Sequence, residues 1–283
     1  MLRYLLSVAS WFVRAISSLF TILASNSNQK LREEFLNYNP QSGGMRTNAY
    51  RPFKLSIRLF GRMGHGKSTF INNCLCVIND TEYRNEAAEG DPQGSFTVEL
   101  KRYRLSDYVE IVDNIGGKSY SSNEIYEFCT QLDGYRKVGK QVGSGGWGSY
   151  FWDCMTSRDA DWQNMMYIPI IIYRGDFPSF EKEKPMIKPL IDNARNITGI
   201  WPIIVVTHAT EIGNFNVKAI FQSLHCPDVF LLNNYYCKDD QKVPVERNEE
   251  TDEMILKILL QCLKRAGEVM ESITTADKPA KFN

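Results

Sequence analysis

Residues 61 to 69 read GRMGHGKST, a spacing of glycines, lysine and hydroxyl residue that can hold phosphate. The glycines at Gly61, Gly64 and Gly66 let the backbone curl so that successive N–H groups converge on one concavity, which suits the oxygens of a β-phosphate. Arg62, Met63 and His65 stand between them in the same loop. Lys67 would bridge β- and γ-phosphates. Ser68 would place its hydroxyl on Mg²⁺, and with Thr69 it opens a helix whose N-terminal partial charge adds to the attraction. So short a pattern arises by chance unless a strand leads in and a helix leads out. Both are present. Phe53, Leu55, Ile57 and Leu59 alternate with polar residues at the strand period, and Phe70, Ile71, Leu75 and Ile78 repeat at helical spacing after the lysine.

A second piece of chemistry closes the run YVEIVD, where Asp113 is followed by Asn114, Ile115 and Gly116. An acid at the end of a hydrophobic strand can hold Mg²⁺, usually through water, and the amide of the glycine three places on can feel a γ-phosphate. Between this segment and the phosphate loop a threonine should ligate Mg²⁺ when triphosphate is bound. Thr97 is the candidate, with Ser95 and Thr81 as alternatives and an ordinary strand position as the competing reading of Thr97.

The third candidate segment is Thr207-His208-Ala209-Thr210-Glu211 after the apolar run PIIVV. GTP-binding folds of this order usually carry [NT]-K-x-D here, the acid accepting from guanine. His208 can stack where the lysine stem would lie, but the single hydroxyl of Thr210 does not reproduce a two-oxygen acceptor, and Glu211 comes one residue late. Asn233 and Asn234 end the last apolar run, where a backbone N–H would meet the guanine oxygen; they serve equally well as strand terminators.

These segments need a scaffold. Short Ile- and Val-rich runs (Pro169–Tyr173, Pro202–His208, Val229–Asn234) alternate with helical stretches around Met186–Asn196, Val217–Leu224 and Glu249–Glu271, which predicts strands buried on both faces in a mostly parallel sheet. Pro169 and Pro202 suit the openings of their strands. FTVELKRYRL and YVEIVD are close enough for a hairpin, so the second strand should run antiparallel to the third. About 50 residues from Gly117 to Met165 intervene before the next strand, long enough to be functional, with a helix expected near Ser122–Leu132.

Lysine plus arginine equal aspartate plus glutamate at 33 each, with 43% hydrophobic residues. This is a globular chain with no basic field calling for nucleic acid, which is excluded as a default partner. The seven cysteines and three histidines show no metal-ligand spacing and read as reduced thiols of a cytoplasmic protein.

Residues 1–25 carry no acid and only Arg3 and Arg14 as charges. A helix here would be about 35 Å long, with a wide apolar arc opposite a wedge of arginine and serine. A membrane surface facing the cytosol, docking on the chain's own body and docking on a second copy all fit. A cleaved leader fits less well, since no small-residue cleavage site follows. Residues 26–50 read as a linker with a short charged helix around Lys30–Leu36, residues 51–275 as the nucleotide domain, and residues 276–283 as a disordered tail.

The segments GRMGHGKSTF, DNIGG, VVTH, VFLLNNYY and ETDEMILKILLQCLKRA together resemble the interferon-induced protein 44-like family, over roughly residues 50 to 272. The resemblance implies a Ras-type or dynamin-superfamily-like nucleotide domain, that is, a three-layer α/β P-loop NTPase fold with a Ras-like G domain. It also implies GTP or GDP with Mg²⁺, a cytoplasmic setting and an association with innate immune responses. Efficient small GTPases place a glutamine directly after D-x-x-G; here Gly117 stands there, then Lys118, and Met63 offers no proton acceptor, so slow or partner-stimulated hydrolysis is expected. By position, a surface-pointing role suits Arg62 and His65 better than charge stabilisation. An ATPase using Asp113 as a Walker B acid, and a non-hydrolysing scaffold, are the alternatives.

Overall fold

The computed structural model describes residues 26–40, 54–87, 100–114, 120–135, 165–176, 180–209, 217–235 and 246–276. Its elements are a helix over 26–36 (α1), then β1 (Lys54–Phe60), α2 (Lys67–Asn79), β2 (Lys101–Arg104), β3 (Val109–Asp113), α3 (Ser122–Leu132) and β4 (Met165–Arg174). They continue with α4 (Phe180–Thr198), β5 (Ile203–Thr207), α5 (Val217–Ser223), β6 (Val229–Leu232) and α6 (Glu249–Ala276). The strands form one sheet in the order β2-β3-β1-β4-β5-β6. Every pairing is parallel except β2 with β3, which is antiparallel with Lys101 opposite Asp113. This is the expected three-layer α/β arrangement of a P-loop NTPase.

The layers follow from the period of two along each strand. Leu55, Ile57 and Leu59 of β1, Ile168, Ile170 and Ile172 of β4 and Ile203 and Val205 of β5 face one core, covered by α1, α2 and α6. Tyr167, Ile171 and Tyr173 of β4 and Ile204 and Val206 of β5 face the other, covered by α3, α4 and α5. Cys74, Cys76 and Cys262 lie in the first core and Cys226 in the second, all as free thiols. The helix start of α3 is fixed by a capping box: Glu124 N–H donates to Ser121 Oγ, and Ser121 N–H donates to the Glu124 carboxylate.

Two expectations are corrected. Pro169 lies inside β4 rather than at its opening, opposite Arg58 of β1 and one residue before the β5 ladder starts at Ile170 opposite Ile203. Up to that point β4 is paired on one side only, which leaves room for a residue without an N–H. The second concerns the segment read as a linker, whose first part is packed on the domain. Phe35 of α1 is fully buried in the first core. Arg32 donates to Val77 O at 2.8 Å and pairs with Asp80 at 3.0 Å, and Asn28 donates to Glu249 O at 3.0 Å. Charged residues around one aromatic gave a polar average that hid this packing. Phe35→Ala should therefore cost about 3–5 kcal/mol in urea unfolding, whereas a linker residue would cost next to nothing.

Residues 1–25, 41–53 and 277–283 and most of the 117–165 insertion lie outside the described residues. Among the described residues no helix is long and apolar enough to cross a membrane.

Candidate functional site

β1 ends at Phe60 and α2 begins at Lys67, so residues 61–66 turn the chain at the carboxyl end of the central strand. The turn is possible because of two glycines in particular. A Cβ on Gly61 would stand 2.4 Å from Ile172 O of β4, so the loop passes β4 at backbone contact. Gly66 caps α2 with φ 89° in the left-handed region, and a Cβ there would lie 3.2 Å from Asn234 Nδ2 and 3.5 Å from Thr207 Cγ2. The end of β5 and the loop after β6 thus close on the phosphate loop itself.

Lys67 is buried, at 6% exposure, and its ammonium donates to Gly61 O at 3.0 Å and Arg62 O at 3.1 Å. Burial lowers its pKa to about 8, against the opposing pull of Asp113. Ser68 Oγ donates to Asp113 Oδ2 at 2.9 Å. Asp113 is itself buried, and its other oxygen, Oδ1, has no hydrogen-bond partner among the described residues. Burial raises its pKa, with the Ser68 hydrogen bond and the Lys67 charge acting the other way. A hydroxyl and an incompletely satisfied carboxylate oxygen side by side are the hard-oxygen donors that Mg²⁺ takes. They sit at the start of a helix beside a lysine, where phosphate also fits. Among the described residues no cluster of three His, Cys, Asp or Glu side chains could hold a metal by itself. Mg²⁺ at Ser68 and Asp113 would need oxygens from phosphate and water.

Neither Arg62 nor His65 has the surface placement their positions suggested. Arg62 pairs with Glu183 of α4, a residue only 4% exposed that also accepts from the Tyr173 hydroxyl at 3.2 Å. His65 is 2% exposed, set edge-on to Tyr173 with ring centroids 5.4 Å apart, and its Nδ1 lies 3.4 Å from Ile172 O. Met63 is exposed. Thr207, fully buried, donates to His65 O at 2.9 Å and so ties the end of β5 to the phosphate loop. His208 follows half-buried with φ 55°. Asn234 is half-buried beside Gly66, its Oδ1 without a partner among the described residues, and Asn233 is exposed.

Burial lowers the His65 pKa to about 4, and the nearby Lys67 and Arg62 charges add to that shift while the Ile172 carbonyl opposes it. The folded protein therefore keeps His65 neutral down to about pH 4, whereas the unfolded chain protonates it near 6.5. Between these values the unfolded state binds more protons, so stability falls as pH drops from 6.5 towards 4, by about 3 kcal/mol in all. Asp113, with its raised pKa, works in the opposite sense in the carboxylate range. A His65→Gln variant should show a visibly flatter curve of urea-unfolding stability against pH between 6.5 and 4.5.

The structure brings together Gly61, Arg62, Gly64, His65, Gly66, Lys67, Ser68, Thr69, Asp113, Thr207 and Asn234. Thr97, Gly116 and Thr210, with the alternatives Ser95 and Glu211, lie outside the described residues. Sequence reasoning missed Glu183 and the consecutive Asn72 and Asn73 of α2, all fully or nearly fully buried. Asn72 Nδ2 donates to Ala87 O at 3.0 Å and its Oδ1 accepts from Ala87 N–H at 2.6 Å. Asn73 does the same to Tyr235, at 3.1 Å and 2.8 Å. A signal was available: FINNCLCVI is apolar all round the helix, so polar residues inside it must be buried and partnered.

No family model matches the sequence, and no curated protein matches it. Among solved structures, the crystal structure of a Plasmodium falciparum protein titled nucleolar GTP-binding protein 1 is similar over 82% of this chain and 95% of its own, at 8% identity and a TM-score of 0.40.

Proposed function

We propose that this chain binds GTP or GDP with Mg²⁺ and works as a GTPase-like switch with slow or partner-stimulated hydrolysis. The observation that carries the reading is the convergence of Lys67, Ser68 and Asp113 at the start of α2, under a loop that Thr207 and Asn234 abut. Lys67 would exchange Gly61 O and Arg62 O for β- and γ-phosphate oxygens. Ser68 and Asp113 would hold Mg²⁺, which when bound neutralises charge developing on the phosphates. Arg62 is engaged by Glu183, which supports low intrinsic hydrolysis, since that cation is already paired.

The guanine preference is supported by the position of the segments after β5 and β6. The interferon-induced protein 44-like resemblance supports a cytoplasmic setting and a part in innate immune responses. The apolar arc of residues 1–25 supports association with a membrane surface, a second copy or another protein as the output. The test is equilibrium binding of fluorescent GDP and ADP analogues, with Mg²⁺, to the full chain. Guanine-selective binding is the expected result. Equal affinities would mean that the Thr210 segment has lost base discrimination, and no binding of either would leave a scaffold with a GTPase's shape.

A further inference from the structure

The loop after β6 is gripped at three points, and the innermost grip is a side chain of the helix that carries Lys67 and Ser68. Asn73 is fully buried. Its amide nitrogen donates to Tyr235 O at 3.1 Å and to Thr69 O at 2.6 Å, one turn back in α2, while its oxygen accepts from Tyr235 N–H at 2.8 Å. The amide thus spends both N–H donors and one oxygen lone pair, and both backbone polar atoms of Tyr235 are satisfied by one residue. From its other end Tyr235 is held by α6: its hydroxyl accepts from Asn248 N–H at 3.0 Å and lies 2.8 Å from Asp252 Oδ1. A third, long contact joins Thr251 Oγ1 to Asn233 O at 3.5 Å. Immediately before Tyr235, Asn234 packs against Gly66 with a buried oxygen that has no partner among the described residues.

We propose that Asn73 is the positioning residue of the base site, fixing the Asn233–Tyr235 loop at a set distance from the phosphate loop so that a purine and its phosphates are held in register. This rests on the nucleotide reading above. Asn73 touches neither base nor phosphate; it acts through the backbone of Tyr235. The same turn of α2 supplies a matched comparison, because Asn72 is equally buried and makes the same two-bond clamp, but on Ala87, away from the loop after β6.

The experiment compares GDP with inorganic pyrophosphate, which shares the phosphate contacts and lacks the base. Full-length wild type, Asn73→Ala and Asn72→Ala are titrated calorimetrically with each, in Mg²⁺. Wild type should bind GDP more tightly than pyrophosphate. Asn73→Ala should lose roughly tenfold in GDP affinity, the size expected when the two buried hydrogen bonds that hold Tyr235 are removed, with pyrophosphate affinity unchanged. Asn72→Ala should leave the GDP-to-pyrophosphate ratio at the wild-type value. Asn73→Ser keeps a hydroxyl that can donate to Thr69 O, four residues back, but is too short to clamp Tyr235, so it should lower the ratio by a similar factor. It also supplies the measurement if the alanine variant does not fold. A ratio unmoved by Asn73→Ala and Asn73→Ser, or moved equally by Asn72→Ala, overturns the positioning role while leaving nucleotide binding intact. Wild type that binds GDP no better than pyrophosphate overturns the base reading itself.

Discussion

Replacing Lys67 with methionine is expected to remove nucleotide binding without unfolding the protein. Among the described residues the Lys67 ammonium is the buried cation aimed into the phosphate loop, and losing its charge-assisted contact with the β-phosphate should weaken GDP binding by about 10- to 100-fold. Stability should change far less. At neutral pH the lowered pKa, about 8 against an ordinary 10.5, represents a burial penalty of about 3 kcal/mol, which methionine relieves. Against that, Gly61 O and Arg62 O lose their donor, at about 1–3 kcal/mol. The two terms nearly offset, so the melting temperature of the unliganded variant should lie close to wild type while its rise on adding GDP disappears. The same pKa sets a pH dependence. Phosphate needs the protonated lysine, so wild-type GDP affinity should hold up to about pH 8 and decline above it, by as much as tenfold per unit. A variant that still binds GDP would sink the assignment of Lys67, whereas affinity indifferent to pH between about 8 and 9.5 would mean that the ammonium keeps its proton there.

The second large effect is expected at Gly61. A Cβ there meets Ile172 O at 2.4 Å, a contact between backbones that no side-chain rotation relieves. Either the loop or the carboxyl end of β4 must move by several tenths of an ångström, and both Gly61 and Ile172 are buried. Gly61→Ala should therefore cost about 3 kcal/mol or more, and it should lower nucleotide affinity too, because Gly61 O is where Lys67 rests. Gly64 is the contrast. Nothing lies within 4 Å of a Cβ built on it, though its φ of 79° is left-handed. Gly64→Ala should cost only the backbone term of about 1–2 kcal/mol. Urea titrations of both variants read the difference directly, and equal costs would mean that the close approach to β4 yields freely.

Much of this molecule was legible from local pattern. The lead-in strand, the helix from Lys67, the antiparallel β2 and the helix at Ser122–Leu132 come from period, turn residues and caps, all of which act over a few positions. The approach of Ser68 to Asp113 was legible for a related reason: two short motifs at the ends of adjacent parallel strands must meet at one edge of the sheet. What escaped depends on partners far apart in the chain. Glu183 sits among lysines in FEKEKP and looks solvated, until the fold sets Arg62 and Tyr173 against it. Phe35 is a single aromatic in a charged helix and has too little apolar company to reveal its side. Asn72 and Asn73 could be read as buried, but only the fold says that one holds Ala87 and the other Tyr235. Pro169 was misplaced because a strand's length on one flank depends on its neighbour, not on its own residues.

The thiols distributed over the two cores give the protein a built-in clock. Burial pushes Cys226 up to about 12 and Cys262 and Cys74 still further above the ordinary thiol range, so none offers thiolate to an alkylating reagent while the fold is closed. Each can be labelled only when its own layer opens. Cys74 and Cys262 keep time for the side under α1, α2 and α6, and Cys226 for the side under α3, α4 and α5. Mass-resolved alkylation of one sample would show whether the sheet parts from both helical layers in a single event or sheds one before the other.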